Sequence, residues 1–125
     1  MKRNLDLLRE IMLAVEAYEP ERISSLQMIS PNEFSGSNAQ NFHHINLLVD
    51  AHLISLAGKP DMQANFAIKG MTMDGHDFLD AIREVTIWDA TKTRLRGAGG
   101  WTIDIVLAVA KEELKRRLGL SIQTE

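Results

Sequence analysis

Four histidines, a stepped series of carboxylates, a glycine cluster and a row of amides are the residues of this chain whose types and spacing bear on chemistry. His43 and His44 are adjacent. Consecutive helical side chains point about 100° apart, so this pair does not readily face one ion. His52 lies on a different face from His44, and His76 belongs to another element. No HExxH motif, no cysteine and no carboxylate at a ligand spacing accompanies them, so neither a metal nor any other cofactor is expected. His44 and His76 are instead expected to hydrogen-bond locally and position neighbouring elements. Asp77, Asp80 and Glu84 follow at i, i+3 and i+7, after Asp74, and share one side of a helix. Mg²⁺ binding or acid–base chemistry needs carboxylates that converge. This series reads as a solvated face with Asp80 and Arg83 loosely paired. Gly97-Ala98-Gly99-Gly100 before a helix has the composition of a phosphate cradle. It lacks a Walker lysine and a preceding strand, and reads as a turn between helices. No nucleophile pattern stands out, so no catalytic residue is assigned and an enzyme is not expected.

What remains is recognition. Gln40, Asn41, His43, His44 and Asn46 sit on one short segment with Leu47. Asn and Gln pair with adenine edges, and His donates to phosphate or base. Lys59 and Lys69, at the tip and return of a hairpin, would contact the backbone, with Lys2, Arg3 and Arg9 adding charge if the first helix abuts the site. Against this, no Lys or Arg lies between Arg22 and Lys59. Base contacts specify, but phosphate contacts hold a protein on DNA. A cation-free helix with an exposed Leu47 looks more like a contact surface for another protein.

These residues need elements to position them. Leu5, Leu8, Met12 and Val15 predict a first helix from about Asn4 to Tyr18, capped by Asn4 and ended by Pro20. Leu7, Ile11 and Ala14 broaden its apolar face. Ile23 to Ile29 reads as a short strand, and Pro31 to Gly36 as a turn that leaves room for one helical turn at most. Ser37-Asn38-Ala39-Gln40 is a capping box opening the second helix. On it Asn41, Ile45, Leu48 and His52 share a side, flanked by Phe42 and Val49. Leu53–Leu56 and Asn65–Lys69 predict a hairpin around the Gly58-Lys59-Pro60-Asp61 turn. Thr72 caps a third helix, which either continues to Leu95 or restarts near Thr86. Thr102 caps the last, with Gly119 as its C-cap and Lys115, Arg116 and Arg117 in its final turn.

The chain has 125 residues, 45% hydrophobic and 25% charged, enough for one ordinary core. The absence of cysteine excludes disulfides and thiol sites and fits a reducing cytoplasm. The N-terminus does not read as a signal peptide, and no apolar run approaches the ~18 residues of a membrane span. The net charge of −3 lowers the expectation of nucleic acid, whose binders carry a basic footprint.

The opening Met1-Lys2-Arg3-Asn4-Leu5-Asp6-Leu7-Leu8-Arg9 is similar to that of the bacterial and phage proteins grouped as domain of unknown function 2513. His44 to Ile54 resembles that family's "HLxLLxEAGLI" block, and Asp74 to Arg83 its "EGHEFLDAIR" block. Trp88 and Gly99-Gly100 also fit. The resemblance implies a winged-helix-like fold and a prophage context, and no activity. His52 stands where the family block has glycine; a helix exit often needs φ > 0, so strain or a shift is expected there. The reading is thus an α+β winged helix-turn-helix-like domain with a three-stranded wing sheet and two additional C-terminal helices. It spans 1–125 as a single domain, with its core in 1–96 and a C-terminal helix at 101–119. The expected function is a small cytoplasmic DNA-binding or regulatory protein acting on double-stranded DNA. The alternative is a non-catalytic protein–protein interaction module on the same fold. Trp88, Trp101, Met71 and Met73, on or beside the C-terminal helices, read either as intramolecular core or as the seam of a homodimer, and no membrane contact is expected.

Overall fold

The computed structural model describes residues 2–23 and 25–119. The chain is α+β. Among the described residues it has five α-helices and one three-stranded antiparallel sheet. It divides into two compact units, the first ending at His76 and the second beginning at Asp77.

The first unit opens with α1 (Leu5–Ala17), where the Asn4 side chain accepts from Leu7 N–H at 3.2 Å. Its apolar spacing turns Leu7, Leu8, Ile11, Met12 and Val15 inward. The strand expected from Ile23 is shorter: β1 spans Gln27–Ile29. Ser25 explains the difference. Its N–H donates to the Arg22 carbonyl at 3.0 Å and its hydroxyl accepts from Arg22 N–H, forming a turn that withdraws these residues from the ladder. A single 3-10 turn (Pro31–Glu33) follows, capped by Ser30. Then come α2 (Asn38–Asp50), β2 (Ile54–Leu56) and β3 (Phe66–Met71). The strand order is β1-β3-β2, with Gln27 opposite Ile68 and Ile54 opposite Met71. The central strand alternates, with Phe66 and Ile68 buried and Lys69 exposed, so one sheet face is apolar. α1 packs on α2 and β3, and α2 packs on β2.

The exit of α2 carries the expected strain without a shift. His52 has φ 61°, the conformation for which glycine is the usual residue. His52 N–H donates to Val49 O and Leu53 N–H to Leu48 O, both at 3.0 Å. These are the paired bonds of a Schellman ending, with Leu53 and Leu48 both buried as its apolar contact. Thr72 then joins this exit to α3 (Met73–Ile82). Its N–H donates to Leu53 O at 3.1 Å, its hydroxyl to His52 O at 2.7 Å, and its oxygen accepts from Gly75 N–H.

In the second unit the helix restarts rather than continues. Glu84 has extended φ/ψ and caps α4 (Val85–Ala98) by accepting from Ile87 N–H at 3.0 Å. The turn between helices begins at Gly99, which ends α4 at φ 77°; Gly97 and Ala98 of the glycine cluster still belong to α4. α5 (Ile103–Leu118) is capped by Thr102 and Gly119. It packs on α4, with Val106 and Ala110 buried, as are Ile87, Trp88 and Leu95 of α4. Trp88 therefore belongs to the interior. Arg94 bridges to Glu112 and Glu113, and Arg117 to Glu84, along the rim. No described helix is long and apolar enough to cross a membrane.

Candidate functional site

α2 sorts the recognition residues into two sets. Its start is held by the expected capping box: Ser37 Oγ accepts from Gln40 N–H at 3.1 Å, and Gln40 Oε1 accepts from Ser37 N–H at 3.2 Å. Gln40 is thereby engaged in the cap.

Two of the expected readers face inward. Asn41 is fully buried, and its Nδ2 donates to the carbonyls of Pro31 at 2.6 Å, Phe34 at 3.2 Å and Gly36 at 3.0 Å. Its Oδ1 accepts from Gly36 N–H at 3.1 Å. One side chain thus closes the turn between β1 and α2, and it is not available to a groove of DNA. The helical phase had placed Asn41 with Ile45 and Leu48, the buried face; its amide chemistry serves that turn.

His44 is also buried, and it joins two helices. Its Nε2 accepts from Asn4 N–H, and its Nδ1 lies against Gln40 O, both at 2.8 Å. This pattern needs the neutral ring with its proton on Nδ1. Local positioning, not base reading, is its role. Burial holds its pKa below the ordinary 6.5, reinforced by nearby His43 and opposed by the Gln40 carbonyl. Below that ordinary pKa the unfolded chain takes up a proton that the folded chain refuses. Stability present above it therefore declines as pH falls toward the folded pKa. Urea midpoints are expected to drop between about pH 7.5 and about pH 5.5, and His44→Ala, costing about 2 kcal/mol at the upper pH, should flatten the decline. An unchanged decline in the variant would assign it to other groups.

The second set faces outward. His43 and Asn46 line an open groove of about 800 Å³ whose other walls are the 3-10 turn and the hairpin loop. Phe42 and Pro31 contribute apolar surface, and Phe42 packs on Phe66 with ring centroids 5.1 Å apart. From the loop come Gln63, Ala64 and Asn65. Asp61 builds that loop: its carboxylate accepts from the N–H groups of Gln63 and Asn65, both at 2.9 Å, while Ala64 sits at φ 65°. The Asn65 N–H, with the Asn65 amide and the Gln63 N–H behind it, holds the Asp61 carboxyl below the usual carboxylate range. No Asp, Glu, Lys or Arg lines the groove.

The remaining expected residues lie elsewhere. Lys59 and Lys69 are exposed but do not line the groove. Leu47, expected to be exposed, is half-buried and also outside it. Asn32, Asn38, Gln63 and Asn65 line the groove without having been singled out. The available signal was a clustering of uncharged amides in the turns around α2. No group of three or more His, Cys, Asp or Glu able to hold a metal occurs among the described residues. Asp80 pairs with Arg83 at 2.7 Å on the surface, as a solvated face would, but Glu84, expected on the same helix side, lies beyond the end of α3 and caps α4.

Residues 2–101 match the family described as hypothetical protein (DUF2513). An uncharacterized protein of Haemophilus influenzae is 31% identical over 121 residues, which cover 94% of this chain and 99% of that protein. No solved structure matches the chain.

Proposed function

The chain belongs to the DUF2513 family, and we propose that its first unit is a winged-helix-like module that engages a protein partner through the α2 groove. The order α1-β1-turn-α2-β2-β3, with β1 and β2 both paired to β3, supports the winged-helix reading. In that reading α2 takes the place of the recognition helix and the β2–β3 loop is the wing. The module is non-catalytic.

One observation carries the choice of partner. The face of α2 that bears His43 and Asn46 is the wall of a concavity, and that concavity is lined by no Asp, Glu, Lys or Arg. An α-helix reads duplex DNA by entering the major groove as a convex element flanked by cations. A sunken wall without Lys or Arg suits a segment that enters the protein instead. Such an open groove also differs from small-molecule sites, which enclose most of the ligand.

Titration of a labelled random duplex across salt concentration tests this reading. With only Lys59 and Lys69 near the wing, the log–log slope is expected to be no steeper than about −2, and the affinity weaker than about 10⁻⁴ M. A slope of about −6 or steeper would overturn the protein-partner reading in favour of DNA.

A further inference from the structure

We infer that the α2 groove takes an extended, uncharged polypeptide segment and grips it by its main chain. This rests on the reading of the groove as a partner site. The side-chain amides of Asn32, Asn38 and Gln63 make no hydrogen bond with other described residues. Asn46 uses its Nδ2 on Phe42 O and Asn65 its Nδ2 on Asp61, so each keeps Oδ1 for an incoming donor. Three segments, the 3-10 turn, α2 and the hairpin loop, thus line one concavity with unspent amide groups.

The chemistry of that set fits a peptide main chain. A carboxamide presents a donor and an acceptor side by side, as does each peptide group of an extended strand. Phosphate or carboxylate ligands are held most firmly by Arg or Lys, and cationic ligands by carboxylates; no Asp, Glu, Lys or Arg lines the groove. The apolar surface of Phe42 and Pro31 would cover alternate side chains of the segment, while the amides meet its N–H and C=O groups. Affinity then comes from the main chain, and sequence preference from the few side chains that turn inward. Net hydrogen bonds of this kind are individually modest, so several must act together.

Display of random dodecapeptides against the full-length protein, counter-selected on the Asn38→Ala/Gln63→Ala double variant, supplies the probes. Both positions are surface sites on the groove rim, so the variant's thermal melt should match the wild type. Enriched peptides, synthesised with blocked ends, are expected to be near neutral and to shift backbone resonances of residues 31–32, 38–46 and 63–65. Methylating one central backbone nitrogen of the peptide should weaken binding about tenfold, as should the double variant. Most single side-chain truncations of the peptide should change affinity less than about threefold. If peptides shift the groove resonances but owe their affinity to charged side chains, or ignore backbone methylation, main-chain recognition is overturned and the partner site stands. If no selected peptide shifts those resonances, the partner site itself is overturned.

Discussion

Asn41→Asp is expected to cost about 4 kcal/mol at neutral pH, a large part of an ordinary stability of about 5–15 kcal/mol. The substitution keeps the shape of the side chain and removes its donors. In the wild type Nδ2 faces the carbonyls of Pro31, Phe34 and Gly36 inside a site with no solvent exposure. A carboxylate there would set a negative oxygen against three carbonyl oxygens. Burying an unpaired charge costs more than losing the hydrogen bonds alone. The carboxyl escapes by taking a proton, so its folded pKa rises above the unfolded one, and the loss should shrink as pH falls. Urea melts at about pH 7.5 and about pH 5 measure both effects, and Asn41→Ala should be milder, at about 2 kcal/mol. A loss under about 1 kcal/mol for the aspartate variant would mean that the turn holds without this side chain. The groove depends on the same residue, because the turn closed by Asn41 carries Pro31 and Asn32. Folded molecules of a weaker variant such as Asn41→Ser should bind groove peptides less well.

Gly75→Ala is expected to cost about 3 kcal/mol or more, an unusually large effect for adding one methyl to a helix. Alanine normally stabilises a helix relative to glycine by about 1 kcal/mol. Here a Cβ would lie 2.1 Å from the Leu53 carbonyl oxygen and 2.6 Å from Met71 Cγ. The first is backbone and cannot rotate aside. That carbonyl already accepts from the Thr72 N–H and hydroxyl, so moving it also disturbs the joint between the exit of α2 and the start of α3. Thermal denaturation of the variant is the direct measurement. Gly97→Ala is the control, since nothing stands within 4 Å of its Cβ position. An Asp74-Gly75-His76 step thus owes its glycine to the close approach of two backbones, without any positive φ. If Gly75→Ala melts with the control, that approach is not a constraint in solution.

Much of the secondary structure was legible because its signals are local. Asn4, the Ser37–Gln40 box, Thr72, Thr102 and Gly119 each act on groups within four residues. Helix starts and stops could therefore be read from neighbours in the chain. His52 is a different case: it was the family resemblance, with glycine at this helix exit, that pointed to a positive φ, and φ is 61°. β1 was overestimated for the same reason in reverse. Ile23 and Leu26 suggested a strand, but the hydrogen bonds between Arg22 and Ser25 compete with a ladder that needs a distant partner.

The site was legible only in part. Periodicity already put Asn41 on the side of Ile45 and Leu48, yet its amide chemistry suggested a reader of bases. Residue type states what a group can bond to; the nearest partners state what it does bond to. For Asn41 those partners are carbonyls of a turn, and for His44 the N–H of Asn4, 40 positions away. The groove belongs wholly to this second category. Its walls come from the segments at 30–32, 38–46 and 63–65, none of which carries a signal of the other two. Caps and breaks are governed by short-range hydrogen bonds that any adjacent residues can make, so they are written in order along the chain. Which polar groups are buried, and which are left unspent around a concavity, depends on long-range packing of helices and sheet, and becomes defined when those surfaces meet.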